Sequence, residues 1–198
     1  EYYDSSAEIN SLISWIFGED ISKKYDTLTL INGDFNFQNL LNWGLNCFVV
    51  FLLLPIFIVK IIFKEDLTDY GFQFKGIRKH LWIYILLIII MLPIVFFISK
   101  SPAFLNKYPF YSITSKDQIK LFLIWELIYI LQFIAIEFFF RGFLLHGSKH
   151  KFGYYSILIA MIPYCMIHFG KPISETLGAI IAGSVLGFLS LNTNSIWL

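Results

Sequence analysis

Long apolar runs separated by short polar links make up the chain from about residue 41 onward. Each run is close to the roughly 20 residues that an α-helix needs to cross a bilayer. We place the predicted segments at about 41–63, 81–98, 119–145, 152–169 and 174–191. Pro55 and Pro93 lie inside the first two and should kink them. The pattern predicts an all-α fold, a polytopic transmembrane helix bundle with at least five membrane segments.

The first part of the chain, residues 1–40, is polar enough to lie outside the hydrocarbon. Ser5 and Glu8 have the spacing of a capping box. Apolar residues follow at helical spacing, at Ile9, Leu12, Ile13 and Ile16. Two alternatives stay open here, an amphipathic helix on the membrane surface and an ordered tail or loop. Because the chain begins at Glu1 and stops as a new apolar run begins, we expect it to be a fragment.

Composition agrees with a membrane protein and excludes one class of partner. Hydrophobic residues make up 57% of the chain and charged residues 15%, against roughly 25% charged residues in a soluble domain. The net charge of +1 provides no basic patch of the kind that nucleic acid needs. We therefore predict that residues 41–198 form a bundle in the lipid bilayer and bind no nucleic acid.

Positive charge in the polar links predicts the orientation of the bundle. The links at about 64–80 and 146–151 are rich in lysine and arginine. The positive-inside rule places both in the cytoplasm and the N-terminal region outside. The link at about 99–118 also carries three lysines, which weakens this signal.

An acid and a base lie one helical turn apart in the third predicted segment. Residues at i and i+4 share a helix face, so Glu137 and Arg141 can pair sideways. Glu126 lies three turns earlier at nearly the same angle, which predicts a polar stripe facing the bundle interior. Such a pair is either a functional site or a structural salt bridge that stabilises the bundle.

The fourth segment ends with a second candidate group. Tyr164 and His168 lie one turn apart, and Gly170 and Pro172 end the helix after them. Glu175 opens the next segment, where it could turn back toward His168 or simply favour the positive end of the helix dipole. A lone histidine near a helix end is otherwise most often an interfacial residue.

The motifs of these segments resemble the CAAX protease and bacteriocin-processing family of intramembrane endopeptidases, also called the Abi family. Its acidic motif EExxxRG corresponds to IEFFFRG at 136–142, and FxxxH corresponds to Tyr164-x-x-x-His168. The run GSVLGFLSLNTNSIW at 183–197 is similar to the family's GxxxGxxxxxTGSIW, and LTDYGF at 67–72 is similar to the element before its core helices. The resemblance covers roughly residues 65–198.

Two departures from the family pattern bear on catalysis. The family's first glutamate, taken as the general base, aligns with Ile136, so only Glu137 is present. The third motif, HxxxN or HxxxD, would follow the last residue of this sequence. The resemblance leaves the fold expectation intact and raises a second function hypothesis, a non-catalytic family member that acts as an accessory protein in peptide secretion or signalling.

The resemblance implies an endopeptidase of glutamic type that needs no cofactor and cleaves a membrane-associated peptide or protein tail. A carboxylate takes a proton from water, and histidine and asparagine side chains stabilise the oxyanion. The base would be Glu137 by position, with Glu175 second and Glu126 third. Arg141 would orient Glu137, and His168 would donate to the oxyanion or hold the water. The family also implies a multi-pass protein of the bacterial cell membrane.

Two further patterns are weaker. Ala179, Gly183 and Gly187 repeat at four-residue spacing, which favours close helix packing inside the bundle, with a homodimer through this face as the alternative. His146 and His150 have a spacing that can ligate zinc, but no carboxylate stands at ligand spacing. We predict no metal at this pair.

Overall fold

The computed structural model describes residues 35–74, 77–113 and 115–197. Within these ranges the backbone forms helices and turns and contains no strand, which confirms the all-α prediction. The predicted surface helix at residues 5–16 lies outside the described residues.

Within the described ranges six helices follow one another. Helix α1 runs over residues 35–63, with α-helical Phe35–Phe48 and Leu54–Phe57 and π-helical Val49–Leu53 and Ile58–Phe63. Helix α2 is Ile77–Ile98, and α3 is the short Pro102–Leu105. Helix α4 comprises α-helical Ile119–Glu137, π-helical Phe138–His146 and α-helical Gly147–Phe152. Helix α5 is Ser156–Met166 and α6 is Ile173–Thr193.

The two prolines of the first membrane segments lie inside continuous helices. Pro55 is buried in the α-helical turn of α1, between its two π-helical stretches. Pro93 lies inside α2, which continues to Ile98. The wider π-helical turns around Pro55 accommodate a residue that has no N–H to donate.

In the part of the chain that the structure describes, three helical runs are long and apolar enough to cross a membrane: Phe37–Phe63, Ile119–Met166 and Ile173–Thr193. The apolar part of α2, Trp82–Ile98, is shorter. The predicted count of at least five segments is therefore not confirmed, because the third and fourth predicted segments lie in the single run Ile119–Met166. A straight helix of these 48 residues would be roughly 72 Å long, more than twice the hydrocarbon thickness.

That long run is not straight. A short 3₁₀ turn, Gly153–Tyr155, connects α4 to α5, and Gly153 adopts a positive φ of 54°. Helix α5 then packs against the π-helical part of α4, where the rings of Phe140 and Tyr164 lie 5.4 Å apart. The run thus forms two legs that contact each other, and they correspond to the two predicted segments.

The chain divides into two compact units. Among the described residues, the first contains 35–47 together with Phe110–Gln132. Its core is mostly aromatic, and its buried members are Phe37, Leu40, Tyr111, Leu121 and Trp125. The Trp125 ring stacks on Trp43 and on Tyr129 at centroid distances of 5.9 and 5.2 Å.

The second unit contains Phe48–Pro109 and Phe133–Leu198. The turn at 67–72 packs in its core against the chain after α6. Ile196 N donates to Gly71 O at 2.9 Å, and Ser195 Oγ donates to Gln73 O at 2.7 Å. The Trp197 ring lies 5.3 Å from Phe72. Two of the motifs that carry the family resemblance are therefore direct neighbours.

Helix α6 presents its small residues to α5. A Cβ added at Gly183 would lie 3.2 Å from Met161 Cγ, and one at Gly187 would lie 3.3 Å from Ile157 Cγ2. Ala179 on the same face is 4% exposed. This face is thus used for packing within the chain, and the homodimer through it stays a prediction.

Candidate active site

Glu137 and Arg141 form an ion pair where the backbone changes its winding. Glu137 is the last residue of the α-helical part of α4, and Arg141 lies in the π-helical stretch that follows. Arg141 Nη2 donates to Glu137 Oε1 at 2.6 Å, and Nη1 contacts Oε2. The side chains are 13% exposed for Arg141 and 23% for Glu137. This two-point contact fixes the carboxylate, and π-helical turns of this kind are frequent at functional sites.

A small recess adjoins the guanidinium group. It lies between α4, α5 and α6, is mostly apolar, and has Arg141 and Tyr164 as its polar side chains. Its other lining residues are Phe140, Leu145, Ala160, Met161, Gly183 and Gly187. The closed part of the recess has room for about one water molecule.

His168 continues the line of polar groups from Tyr164. The two rings lie 5.0 Å apart, and His168 Nδ1 donates to Tyr164 O at 3.0 Å. A neutral imidazole that carries its proton on Nδ1 has a lone pair on Nε2. Among the described residues none hydrogen-bonds Nε2. Burial lowers the pKa of His168, which favours this neutral form at pH 7.

Glu175 is held by groups other than His168. Its Oε2 accepts a hydrogen bond from Tyr108 Oη at 2.8 Å and lies 3.8 Å from Lys171 Nζ. Its Oε1 is buried and has no hydrogen-bond partner in the described part of the chain. The expected turn toward His168 brings Glu175 within electrostatic range of the imidazole, without a hydrogen bond between them.

Two tyrosines of this site were missed by the sequence analysis. Tyr108 lies 67 residues from its partner Glu175, and no local pattern relates them. Tyr84 of α2 has a buried hydroxyl without a partner among the described residues, within electrostatic range of Glu137 and Arg141. The ion pair of Lys171 and Glu175, by contrast, has i,i+4 spacing that the sequence displays.

Glu126, the third candidate base, is not part of this group. It is half-buried and belongs to the first unit, whereas Glu137 and Arg141 belong to the second.

His146 lies in a separate group that we call the polar cluster: His146, Lys149, Ser190 and Asn194. Lys149 Nζ lies 3.1 Å from His146 Nδ1 and donates to Asn194 Oδ1 at 3.2 Å. His146 Nε2 lies 3.0 Å from Ser190 Oγ. Because the ammonium can only donate, Nδ1 accepts and Nε2–H donates to the serine.

The zinc spacing of His146 and His150 is not used in the structure. His150 is exposed, whereas His146 is buried in the polar cluster. The described ranges contain no group of three or more histidine, cysteine, aspartate or glutamate side chains that could hold a metal ion.

Residues 118–198 match the model of one protein family, Type II CAAX prenyl endopeptidase Rce1-like. This segment is similar to the CAAX prenyl endopeptidases. For residues 118–198 the finding confirms the resemblance inferred from the motifs. The CAAX-protease-like segment includes Glu137, Arg141, His168 and Glu175. No curated protein and no solved structure matches the chain.

Proposed function

We propose that the protein is an intramembrane endopeptidase of glutamic type that hydrolyses a peptide bond in a membrane-associated peptide or protein tail. One observation carries the proposal: a partly buried, two-point ion pair of Glu137 and Arg141 lies in an apolar run of membrane-crossing length, inside the CAAX-protease-like segment. Ionisable groups are expensive in such a setting and are kept mainly for function. We place the protein in the cell membrane of a bacterium.

In this mechanism Glu137 is the general base. Its carboxylate takes a proton from water while the water oxygen forms a bond to the scissile carbonyl carbon. The tetrahedral intermediate collapses by breaking the C–N bond, and protonated Glu137 returns the proton to the leaving amine. Water, the peptide and Glu137 supply every bond and proton in these steps, so the reaction needs no cofactor.

Arg141 and His168 position the reacting groups. The guanidinium holds the Glu137 carboxylate in place through its two-point contact. His168 has Nδ1 committed to Tyr164 O, so its neutral ring holds a water by accepting a hydrogen bond at Nε2. Of the two roles predicted for His168, this tautomer favours holding the water over donating to the oxyanion.

A non-catalytic accessory protein is the second candidate, and Ile136 favours it. Where the family's general base aligns, this chain has an aliphatic side chain that cannot accept a proton. The ion pair would then stabilise the bundle, and the unit would bind a peptide without cutting it.

The deciding experiment is proteolysis by the full-length protein reconstituted in liposomes. Candidate membrane peptides are incubated with wild type, Glu137→Ala and His168→Ala, and the products are identified by mass spectrometry. Glu126→Gln is the matched control, since Glu126 is a half-buried glutamate of the same helix in the other unit. We expect cleavage by wild type and Glu126→Gln, and its loss in the other two.

The outcomes separate the two functions. Cleavage that survives both alanine substitutions would remove the proposed site. Binding of the peptides without any cleavage, by wild type and both variants alike, would favour the accessory protein. In that case Ile136→Glu is informative, because gain of cleavage would identify the missing base as the cause.

A further inference from the structure

The turn between α5 and α6 is closed on the backbone carbonyl of His168. Lys171 N donates to His168 O at 3.1 Å, and Thr176 Oγ1 donates to the same oxygen at 3.0 Å. Thr176 directly follows Glu175, so these two bonds draw the start of α6 back onto the end of α5. The turn therefore places Lys171 and Glu175 next to the end of α5 that carries His168.

Glu175 is held from two sides in this turn. Tyr108 Oη donates to Oε2 at 2.8 Å, and Lys171 Nζ approaches the same oxygen to 3.8 Å. The side chains of Lys171 and Glu175 are only 24% and 22% exposed. Because water screens the pair incompletely, its charges act on neighbouring groups more strongly than a surface pair would.

Lys171 and Glu175 are the charged side chains that act on His168 among the described residues. After burial, which lowers the pKa of His168, the hydrogen bond to the Tyr164 carbonyl raises it. The Lys171 ammonium lowers it further, and the Glu175 carboxylate raises it. Lys107 acts on Lys171 but not directly on the imidazole.

We propose that Lys171 and Glu175 are positioning residues that set the charge state of His168, with Tyr108 holding Glu175 in place. This assigns Glu175 a role other than that of general base. The inference rests on the proposed function, because a neutral Nε2 matters only where His168 holds the reacting water. Glu175 favours the imidazolium and Lys171 disfavours it, so the two substitutions should shift the titration of His168 in opposite directions.

The test is a titration of His168 by NMR in the full-length protein, labelled with ¹³C-histidine and embedded in nanodiscs. The His168 signal is assigned by its absence in His168→Gln. Glu175→Gln removes the charge that favours the imidazolium, so His168 should titrate at lower pH than in wild type. Lys171→Met removes the charge that disfavours it, so His168 should titrate at higher pH.

Charge removal elsewhere is the matched control. Lys100→Met and Glu126→Gln change the net charge equally at residues that do not act on His168, and both should leave its titration in place. Movement of both test variants in one direction, or of neither, would overturn the proposal.

The pH–rate profile separates this inference from the proposed function. If the protein cleaves, the rate should fall at low pH, because protonation of His168 removes the lone pair on Nε2 that holds the water. This acid limb should move to lower pH in Glu175→Gln and to higher pH in Lys171→Met. Opposite shifts of the NMR titration without any cleavage would end the protease proposal but keep the electrostatic role. If the protein cleaves but neither substitution moves the acid limb, the electrostatic role of Lys171 and Glu175 would be overturned and the protease function would stand.

Discussion

Two histidines of the second unit lie in opposite surroundings. His146 is 1% exposed, and both of its ring nitrogens have hydrogen-bond partners. His168 is half-buried and has one nitrogen bonded to Tyr164 O, and no described residue hydrogen-bonds its Nε2. A fully paired buried group contributes to folding, whereas an unpaired one in a site is available for a reactant. Surroundings, more than residue type, thus separate a structural histidine from a candidate catalytic one.

The largest expected effects come from replacing each of the two histidines with alanine. His168→Ala should lower the rate of peptide cleavage by about 10²- to 10³-fold, because the reacting water loses its acceptor. It should leave the melting temperature near that of wild type. The measurement pairs product quantification by mass spectrometry with thermal unfolding in detergent. Full activity of His168→Ala would make the two histidines equivalent.

The reverse pattern is expected for the polar cluster. His146→Ala removes a buried side chain and leaves Ser190 and Lys149 without their partner. We expect a loss of about 2–4 kcal/mol in the free energy of unfolding. The fraction that remains folded should cleave at the wild-type rate per molecule. A loss of activity in folded protein would place His146 in the reaction.

Gly71 lies close to the buried His146, so a substitution at Gly71 tests the packing of His146 without changing His146 itself. Gly71 has a φ of 75°, and a Cβ there would lie 2.8 Å from His146 Nε2. Gly71→Ala should therefore cost about 2 kcal/mol, measured by thermal or denaturant unfolding. Gly178→Ala is the control, since nothing lies within 4 Å of its Cβ position. It should be neutral or slightly stabilising.

The smallest effect is expected from the serine of the cluster. Ser190→Ala leaves the buried Nε2–H of His146 without an acceptor and should cost about 1 kcal/mol of stability. Ser184→Ala, in the same helix, removes only a bond to its own helix backbone at Ile180 O. If both substitutions cost the same, the His146–Ser190 bond adds nothing specific.

Local spacing accounts for what could be predicted. Glu137 and Arg141 are i and i+4 on one helix, and so are Tyr164 and His168, so their proximity follows from the helix alone. The glycine and alanine face of α6 is likewise a property of a single helix. These features needed no knowledge of which helices pack together.

Contacts between distant residues account for what was missed. Tyr108 meets Glu175 across 67 residues, and His146 meets Ser190 across 44. Such contacts depend on packing that hydrophobic periodicity does not encode. The predicted number of membrane segments was not confirmed because the turn at Gly153 is a 3₁₀ helix. It joins the third and fourth predicted segments into one continuous helical run.

The bond between Ile196 N and Gly71 O has a consequence for biosynthesis. The two residues are separated by all of α2 to α6, so this bond and the docking of Trp197 on Phe72 close only after the ribosome has made the whole span between them. Until then the turn at 67–72 lacks the contacts that the chain after α6 supplies. Insertion of the helices and completion of this core are thus separate events, and the second comes last.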